Sequence, residues 1–293
     1  MTESEWQDLR ALVHHVAGIR LSEAKRVFLA SRLRKRLSAT GSRSFRDYFQ
    51  FVSRFGVELS EYQELVNAVT TNKTEFFREP EHFEILYRWI GQPTPRVEKA
   101  KARGLRIWCT AASTGEEPYS IAAVLQAWLS KREWILSQVA ASDIDTAVLG
   151  SARRAVYDES SVELVEPLWR GRMFVQGHDE YSRVYRIRRD LREHVHLFQQ
   201  NLVLPQWEIH TRFDVIFCRN LLIYFDRATQ DRVVRHLLQY LEPHGLFFVG
   251  AAESLNGLGL PLLSVAHSVY RLDESKPVAA HDAPDTEAPE SRT

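Results

Sequence analysis

The chain has 293 residues, 44% of them hydrophobic, enough to bury a sizeable core and to build two domains. Its 38 basic and 38 acidic residues cancel, so no global field draws it to nucleic acid or to a membrane surface. Two cysteines, Cys109 and Cys218, sit at the ends of apolar runs and suit buried thiols in a reducing compartment; the acidic start Met1-Thr2-Glu3-Ser4-Glu5 is not a signal peptide, and no run reaches the ~20 apolar residues of a membrane span. These features lead to the expectation of a soluble, cytoplasmic protein.

Residues 1–90 read as a helical domain. Trp6, Leu9, Val13 and Val16 recur at helical spacing, as do Leu29, Ala30, Leu33 and Leu37 ahead of Gly41. Tyr48, Phe51 and Val52 suggest a third helix, and Pro80 opens another with Phe83, Leu86, Tyr87 and Ile90 on one face. The polar stretch from Gly91 to Gly104, with Pro93 and Pro95, reads as the domain boundary. Residues 91–272 then alternate: strands are expected at Leu105–Cys109, Val139–Ser142, Val195–Gln199, Phe213–Phe217, Leu246–Gly250 and near Val265–Leu272, with helices between. That alternation predicts a mostly parallel α/β sheet of Rossmann-like kind, with covered faces. About residues 170–192 the pattern changes to a small antiparallel insert with a turn near Gly177-His178-Asp179-Glu180. From Asp273 to residue 293, acids and prolines replace apolar residues, as in a disordered tail or linker.

The chemistry concentrates at the predicted strand ends. After the first strand comes Ala111-Ala112-Ser113-Thr114-Gly115-Glu116-Glu117-Pro118, a small-residue loop entering a helix. It has one glycine where dinucleotide loops have three, and it carries a carboxylate where phosphate loops do not. Glu117 therefore suits the ammonium of a ligand; Glu116 and Glu117 also suit the positive end of the helix dipole, and both readings stand. Ala141-Ser142-Asp143-Ile144-Asp145 closes the second strand, with Asp143 placed for ribose hydroxyls and Asp145 for a helix cap. Arg219-Asn220-Leu221-Leu222-Ile223-Tyr224 follows a later strand; it lacks the Pro-Pro of amino-methylating enzymes, and Tyr224 is either a packing residue or one that faces the crevice. Asn72-Lys73-Thr74-Glu75-Phe76-Phe77-Arg78 reads by composition as a polar turn before two core aromatics. From Arg20 to Arg46 the only acid is Glu23, and Lys25, Arg32, Lys35 and Arg36 share a helical face opposite Leu29, Leu33 and Leu37. A solvated face, nucleic-acid contact and docking to an acidic helix are the three readings, and the neutral chain weighs against the second. No Cys/His cluster suggests a metal.

Taken together and in this order, these motifs resemble the CheR family of chemotaxis-receptor methyltransferases, over roughly residues 65–255. The resemblance implies a class I methyltransferase domain and transfer of a methyl group from S-adenosylmethionine to glutamate carboxylates of methyl-accepting chemoreceptors, leaving S-adenosylhomocysteine. It implies cofactor contacts from Asn72, Thr74, Arg78, Glu117, Asp143, Asn201, Leu202, Arg219 and Asn220, with Arg78 and Tyr224 beside the methyl acceptor. The basic face with Lys25, Arg32, Lys35 and Arg36 would then dock the receptor's cytoplasmic domain. Some family members tether a receptor's C-terminal peptide at the β insert; here Arg183, Arg186 and Arg188 either meet such a peptide or merely solubilise the hairpin.

Overall fold

The computed structural model describes residues 1–55 and 60–276, so nearly all of the expected tail lies outside the described residues. Four helices come first: α1 (Glu3–Ala17), α2 (Arg26–Thr40), α3 (Phe45–Phe55) and α4 (Ser60–Val69). Thr2 and Glu5 form a capping box at the start of α1, satisfying two of the backbone donors that a helix N-terminus leaves free. Trp6, Leu9, Val13, Leu29, Leu33, Tyr48, Val52, Leu65 and Val69 pack into one core, as their helical spacing requires. Gly18 ends α1 with φ 69°, and a Cβ there would lie 2.5 Å from Val203 Cγ1. The absent side chain lets the chain leave α1 flat against the second domain.

The remaining elements are α5 (Pro80–Ile90), α6 (Pro95–Arg103), β1 (Arg106–Cys109), α7 (Glu116–Trp128), α8 (Lys131–Leu136), β2 (Gln138–Asp143), α9 (Thr146–Arg154), β3 (Val156–Asp158), α10 (Glu159–Val162), α11 (Pro167–Met173), β4 (Phe174–Gln176), β5 (Val184–Ile187), α12 (Arg189–Arg192), β6 (Val195–Gln199), β7 (Phe213–Cys218), α13 (Arg227–Gln239), β8 (Leu241–Val249), β9 (Leu262–Ala266) and β10 (Val269–Leu272). They build a seven-stranded sheet in the order β6-β2-β1-β7-β8-β10-β9. β6, β2, β1, β7 and β8 run parallel, and the β9–β10 hairpin closes one edge antiparallel.

Side chains alternate between two covered faces. Ile107 and Cys109 of β1 join Val215 and Phe217 of β7 in one apolar cluster, while Trp108 joins Ile216 and Cys218 in the other with Val233, Val234 and Leu237 of α13. The order of the parallel strands reverses between β1 and β7, so a crevice opens at their C-terminal ends.

The structure departs from expectation at several places, among them β8, which begins at Leu241 and not at Leu246. Phe83, Leu86 and Ile90 of α5, expected with the N-terminal helices, bury themselves with Trp89 in the cluster under the sheet, Tyr87 of the same expected face stays exposed beside Trp128, and the stretch read as a polar link contains α6. The single strand expected near the end is the β9–β10 hairpin. The insert is three-stranded, in the order β3-β5-β4, because Val156–Asp158 adds a strand from before residue 170.

Candidate functional site

At the end of β1 the chain turns sharply through Ser113, whose φ is 47°. The turn is tied to the end of β2: Ala112 N–H donates to Ser142 O (2.7 Å) and Ser113 N–H to Asp143 Oδ2 (2.8 Å). Glu117, in the first turn of α7, accepts from Arg219 Nη1 at 2.6 Å on one oxygen and from the Cys109 thiol at 3.1 Å on the other. Glu116 is buried off the pocket wall, accepts from Thr114 Oγ1 (2.6 Å), and has its carboxyl pushed up by burial. The two adjacent acids thus have separate surroundings, as their positions 100° apart on a helix demand.

Asp143 also accepts from Asp145 N–H at 2.9 Å. Burial pushes its carboxyl up to about 6, against the lowering effect of these backbone donors. Asp145 caps α9, accepting from Ala147 N–H (2.9 Å) and Val148 N–H (3.2 Å). Its other oxygen accepts from Thr70 Oγ1 (2.6 Å) and Asn72 Nδ2 (2.7 Å), so this cap also binds the segment arriving from the helical domain.

Beyond β7 lies Arg219, 3% exposed. Its guanidinium lies between Glu117 and Glu79, with 3.1 Å from Nη2 to Glu79 Oε2, and also donates to the Arg78 carbonyl. Two carboxylates around one buried cation make the geometry self-consistent, since an unpaired charge here would be costly. Glu79 also accepts from Asn220 Nδ2 (3.1 Å) and Ala251 N–H (3.1 Å). Phe77 (φ 52°) and Glu79 (φ 57°) are both left-handed and flank Arg78, whose guanidinium reaches back to Lys73 O at 3.1 Å. Non-glycine residues hold that backbone only where surrounding contacts enforce it, and the Arg219–Glu79 network does so here.

The helical domain supplies the far wall. Ile19 bridges to Phe225 in antiparallel fashion, and Arg20 N–H donates to Tyr224 O at 2.7 Å. Asn201 Nδ2 donates to Val16 O (2.8 Å), and Val203 N–H donates to Asn201 Oδ1 (3.1 Å). Val16, Ala17 and Val66 pack together against Ile144 of the sheet domain.

Asn72, Thr74, Arg78, Glu117, Asp143, Asn201, Leu202, Arg219, Asn220 and Tyr224 all line a single pocket between the two domains. Several are committed to the protein itself: the side-chain amides of Asn72, Asn201 and Asn220 donate to protein acceptors, and Arg219 makes three hydrogen bonds, to Glu117, Glu79 and the Arg78 carbonyl. The sequence reading missed Arg20, Phe28 and Thr70 in the wall, and Glu79 behind it. Glu79 stands next to Arg78 in sequence and has His82 Nδ1 3.4 Å away, but the hydrogen-bonding partners of its side chain, Arg219, Asn220 and Ala251, lie 140 and more residues away and leave no local signal.

The basic face is narrower than expected. Arg36 turns inward, donating Nε to Glu61 Oε1 at 2.9 Å and lying 3.2 Å from Glu64, while Tyr48 Oη also donates to Glu61. It is thereby a structural ion pair of the helical core. Lys25, Arg32 and Lys35 remain exposed, with Lys25 and Arg32 over the Phe28 ring at 5.2 and 4.9 Å, and Lys25 and Phe28 reach the pocket mouth. In the insert, Arg183 pairs with Glu159 at 2.8 Å. Among the described residues no group of three or more His, Cys, Asp or Glu could hold a metal ion, and no helix is long and apolar enough to cross a membrane.

Two family descriptions match this chain. The CheR methyltransferase all-alpha domain matches residues 4–70, and the CheR methyltransferase SAM binding domain matches residues 72–266. The chain is similar to the chemotaxis protein methyltransferase 2 of Pseudomonas aeruginosa, at 39% identity over 92% of this chain and 93% of that one. It is also similar to the chemotaxis protein methyltransferases of Klebsiella aerogenes, at 36% identity, and Escherichia coli, at 34%, each over 94% of this chain and 92% of the relative. With both domains matched in order and the pocket formed where they meet, the chain belongs to the CheR methyltransferase family.

Proposed function

We propose that this protein methylates glutamate side chains of chemoreceptor cytoplasmic domains, using S-adenosylmethionine and yielding glutamate methyl esters. The observation that carries this reading is the placement of Glu117 and Asp143 just after and at the end of the adjacent strands β1 and β2, with Arg78 and Tyr224 lining the same pocket. The residues present fit the cofactor. Glu117 retains lone pairs for an ammonium and Asp143 for ribose hydroxyls, since an ionised carboxylate accepts about four hydrogen bonds. The Arg219 side chain has no exposed surface, so it serves the ligand from behind, by holding Glu117 in place.

When bound, the cofactor supplies an electrophilic methyl group on a sulfonium sulfur. A glutamate with a pKa of about 4.3 is already ionised at neutral pH, so no residue of this chain has to remove a proton. Arg78 and Tyr224 orient the acceptor carboxylate for in-line attack, and the helical domain excludes water by closing the pocket. The Arg78 contact must be loose, because tight ground-state binding of the carboxylate adds nothing to turnover. The exposed Lys25, Arg32 and Lys35 face an acidic receptor helix, and the outer strands β3 and β4 of the insert, with Arg186 on the central strand β5 and Arg188 just after it beside Asp190, offer pairing for an extended receptor peptide.

The deciding experiment is incubation with radiolabelled cofactor and chemoreceptor fragments, followed by alkali. Label released as methanol supports a glutamate ester. Alkali-stable label, or none on any fragment, removes this reading.

A further inference from the structure

Glu253 is 6% exposed and stands outside the pocket wall. Its carboxylate accepts from three backbone N–H groups: Gly250 at 2.6 Å, Asn220 at 2.9 Å and Ile223 at 3.2 Å. The donors come from two loops, one leaving β8 and one leaving β7. The β7 loop needs outside help. Asn220 is left-handed with φ 56°, and a short 3₁₀ turn at Leu222–Tyr224 follows at once. The opening N–H groups of such a turn have no partner within it, and a buried donor without an acceptor is costly. Glu253 supplies the acceptors. The approach is close enough that a Cβ on Gly250 would lie 2.4 Å from Asn220 Nδ2 and 2.9 Å from Glu253 Oε2.

We propose that Glu253 is a positioning residue for methyl transfer: it holds the Asn220–Tyr224 turn so that Tyr224 is presented to the acceptor. This rests on the reading that Tyr224 orients the acceptor carboxylate. Glu117 and Asp143 belong to the ends of β1 and β2, and none of their hydrogen bonds runs to Glu253. Asn220, implied above as a cofactor contact, spends its side-chain amide on Glu79, so loss of Glu253 disturbs the acceptor side and lowers cofactor affinity far less than kcat.

The test compares wild type with Glu253→Gln, which keeps the size but turns an amide NH₂ toward backbone donors. A second variant, Gly250→Ala, keeps the Glu253 carboxylate but crowds it and Asn220 at the same junction. Three quantities are read: S-adenosylhomocysteine affinity, turnover on a receptor fragment that the wild type methylates, and hydrogen exchange of the 219–225 segment. Each variant is expected to bind S-adenosylhomocysteine within threefold of wild type, to lose tenfold or more in kcat, and to exchange the 219–225 amides at least tenfold faster while β7 stays protected. Affinity that falls in step with kcat would show a merely structural role and overturn the proposal, as would wild-type exchange with wild-type turnover. Tyr224→Phe separates the two readings. If it turns over normally while Glu253→Gln loosens the loop, the role of Tyr224 fails and the hold on the loop stands. If it is slow while Glu253→Gln matches wild type in exchange and rate, the Glu253 proposal alone fails.

Discussion

Replacing Arg219 with Met removes the positive charge at nearly constant volume and leaves two carboxylates facing each other across its place. The Glu117 and Glu79 side chains are 12% and 18% exposed, so water replaces the lost partner poorly. Removing one member of a buried pair costs about 3–5 kcal/mol, and a cation serving two carboxylates belongs at the upper end of that range. Against the roughly 5–15 kcal/mol that separates folded from unfolded states, the loss is a large fraction. It also has a pH signature. In the native protein burial raises the Glu79 carboxyl, but the Asn220 hydrogen bond and the Arg219 charge outweigh it and hold the group below its usual range. A depressed folded pKa contributes stability above the unfolded value, about 4.3, and that contribution is lost as pH falls through the folded value. The gap between wild type and Arg219→Met is therefore widest at pH 7 and narrows below about pH 4. Urea unfolding followed by tryptophan fluorescence from pH 7 to pH 3.5 measures it. A penalty under about 1 kcal/mol at pH 7, or one that is constant with pH, would refute the reasoning.

Four further outcomes are expected. Asp143→Ala should weaken cofactor binding by about 1–3 kcal/mol in calorimetry, through ribose hydroxyls left unpaired. In the wild type, affinity should decline as pH drops through about 6, because a protonated Asp143 no longer accepts on both oxygens; a flat profile from pH 8 to 5 argues against the ribose role. Arg78→Ala and Tyr224→Phe should lower kcat well beyond any change in cofactor Kd, and a Tyr224→Phe enzyme at full rate would make that tyrosine a packing residue. Reversing Arg32 and Lys35 to Glu should slow association with an acidic receptor fragment and steepen no other defect; Lys25 is left alone because it reaches the pocket, and unchanged association kinetics would return this face to solvent.

Local sequence pattern carried the fold a long way. Val195–Gln199 matches β6 residue for residue, and the apolar runs at β1, β2 and β7 mark their strands, because a strand buried on both faces needs a continuous run. The helix at Pro80–Ile90 was legible as a helix, but its destination was not, since an apolar face does not state which core receives it. The pocket residues were legible for a similar reason: they sit at strand ends, where the chain order of an α/β sheet puts a crevice. Their division of labour was not. Arg219 reads as a ligand-binding arginine beside Asn220, yet most of its hydrogen bonds run to Glu117, Glu79 and the Arg78 carbonyl. Arg36 reads as part of a basic stripe, yet Glu61, 25 residues away, pulls it inward. Glu253 gave no signal, because its partners are backbone N–H groups, which every sequence offers alike.

The short antiparallel contact of Ile19 with Phe225, reinforced by Arg20 N–H on the Tyr224 carbonyl, has a consequence for inheritance and for engineering. A catalytic half that borrows main-chain hydrogen bonds from its companion cannot be exchanged as a free cassette. Grafting the helical half of one relative onto the methyl-transferring half of another would leave the Tyr224 turn resting on a foreign strand. The two halves are then selected as one unit, and chimaeras should succeed only when residues 17–21 travel with the 219–226 loop.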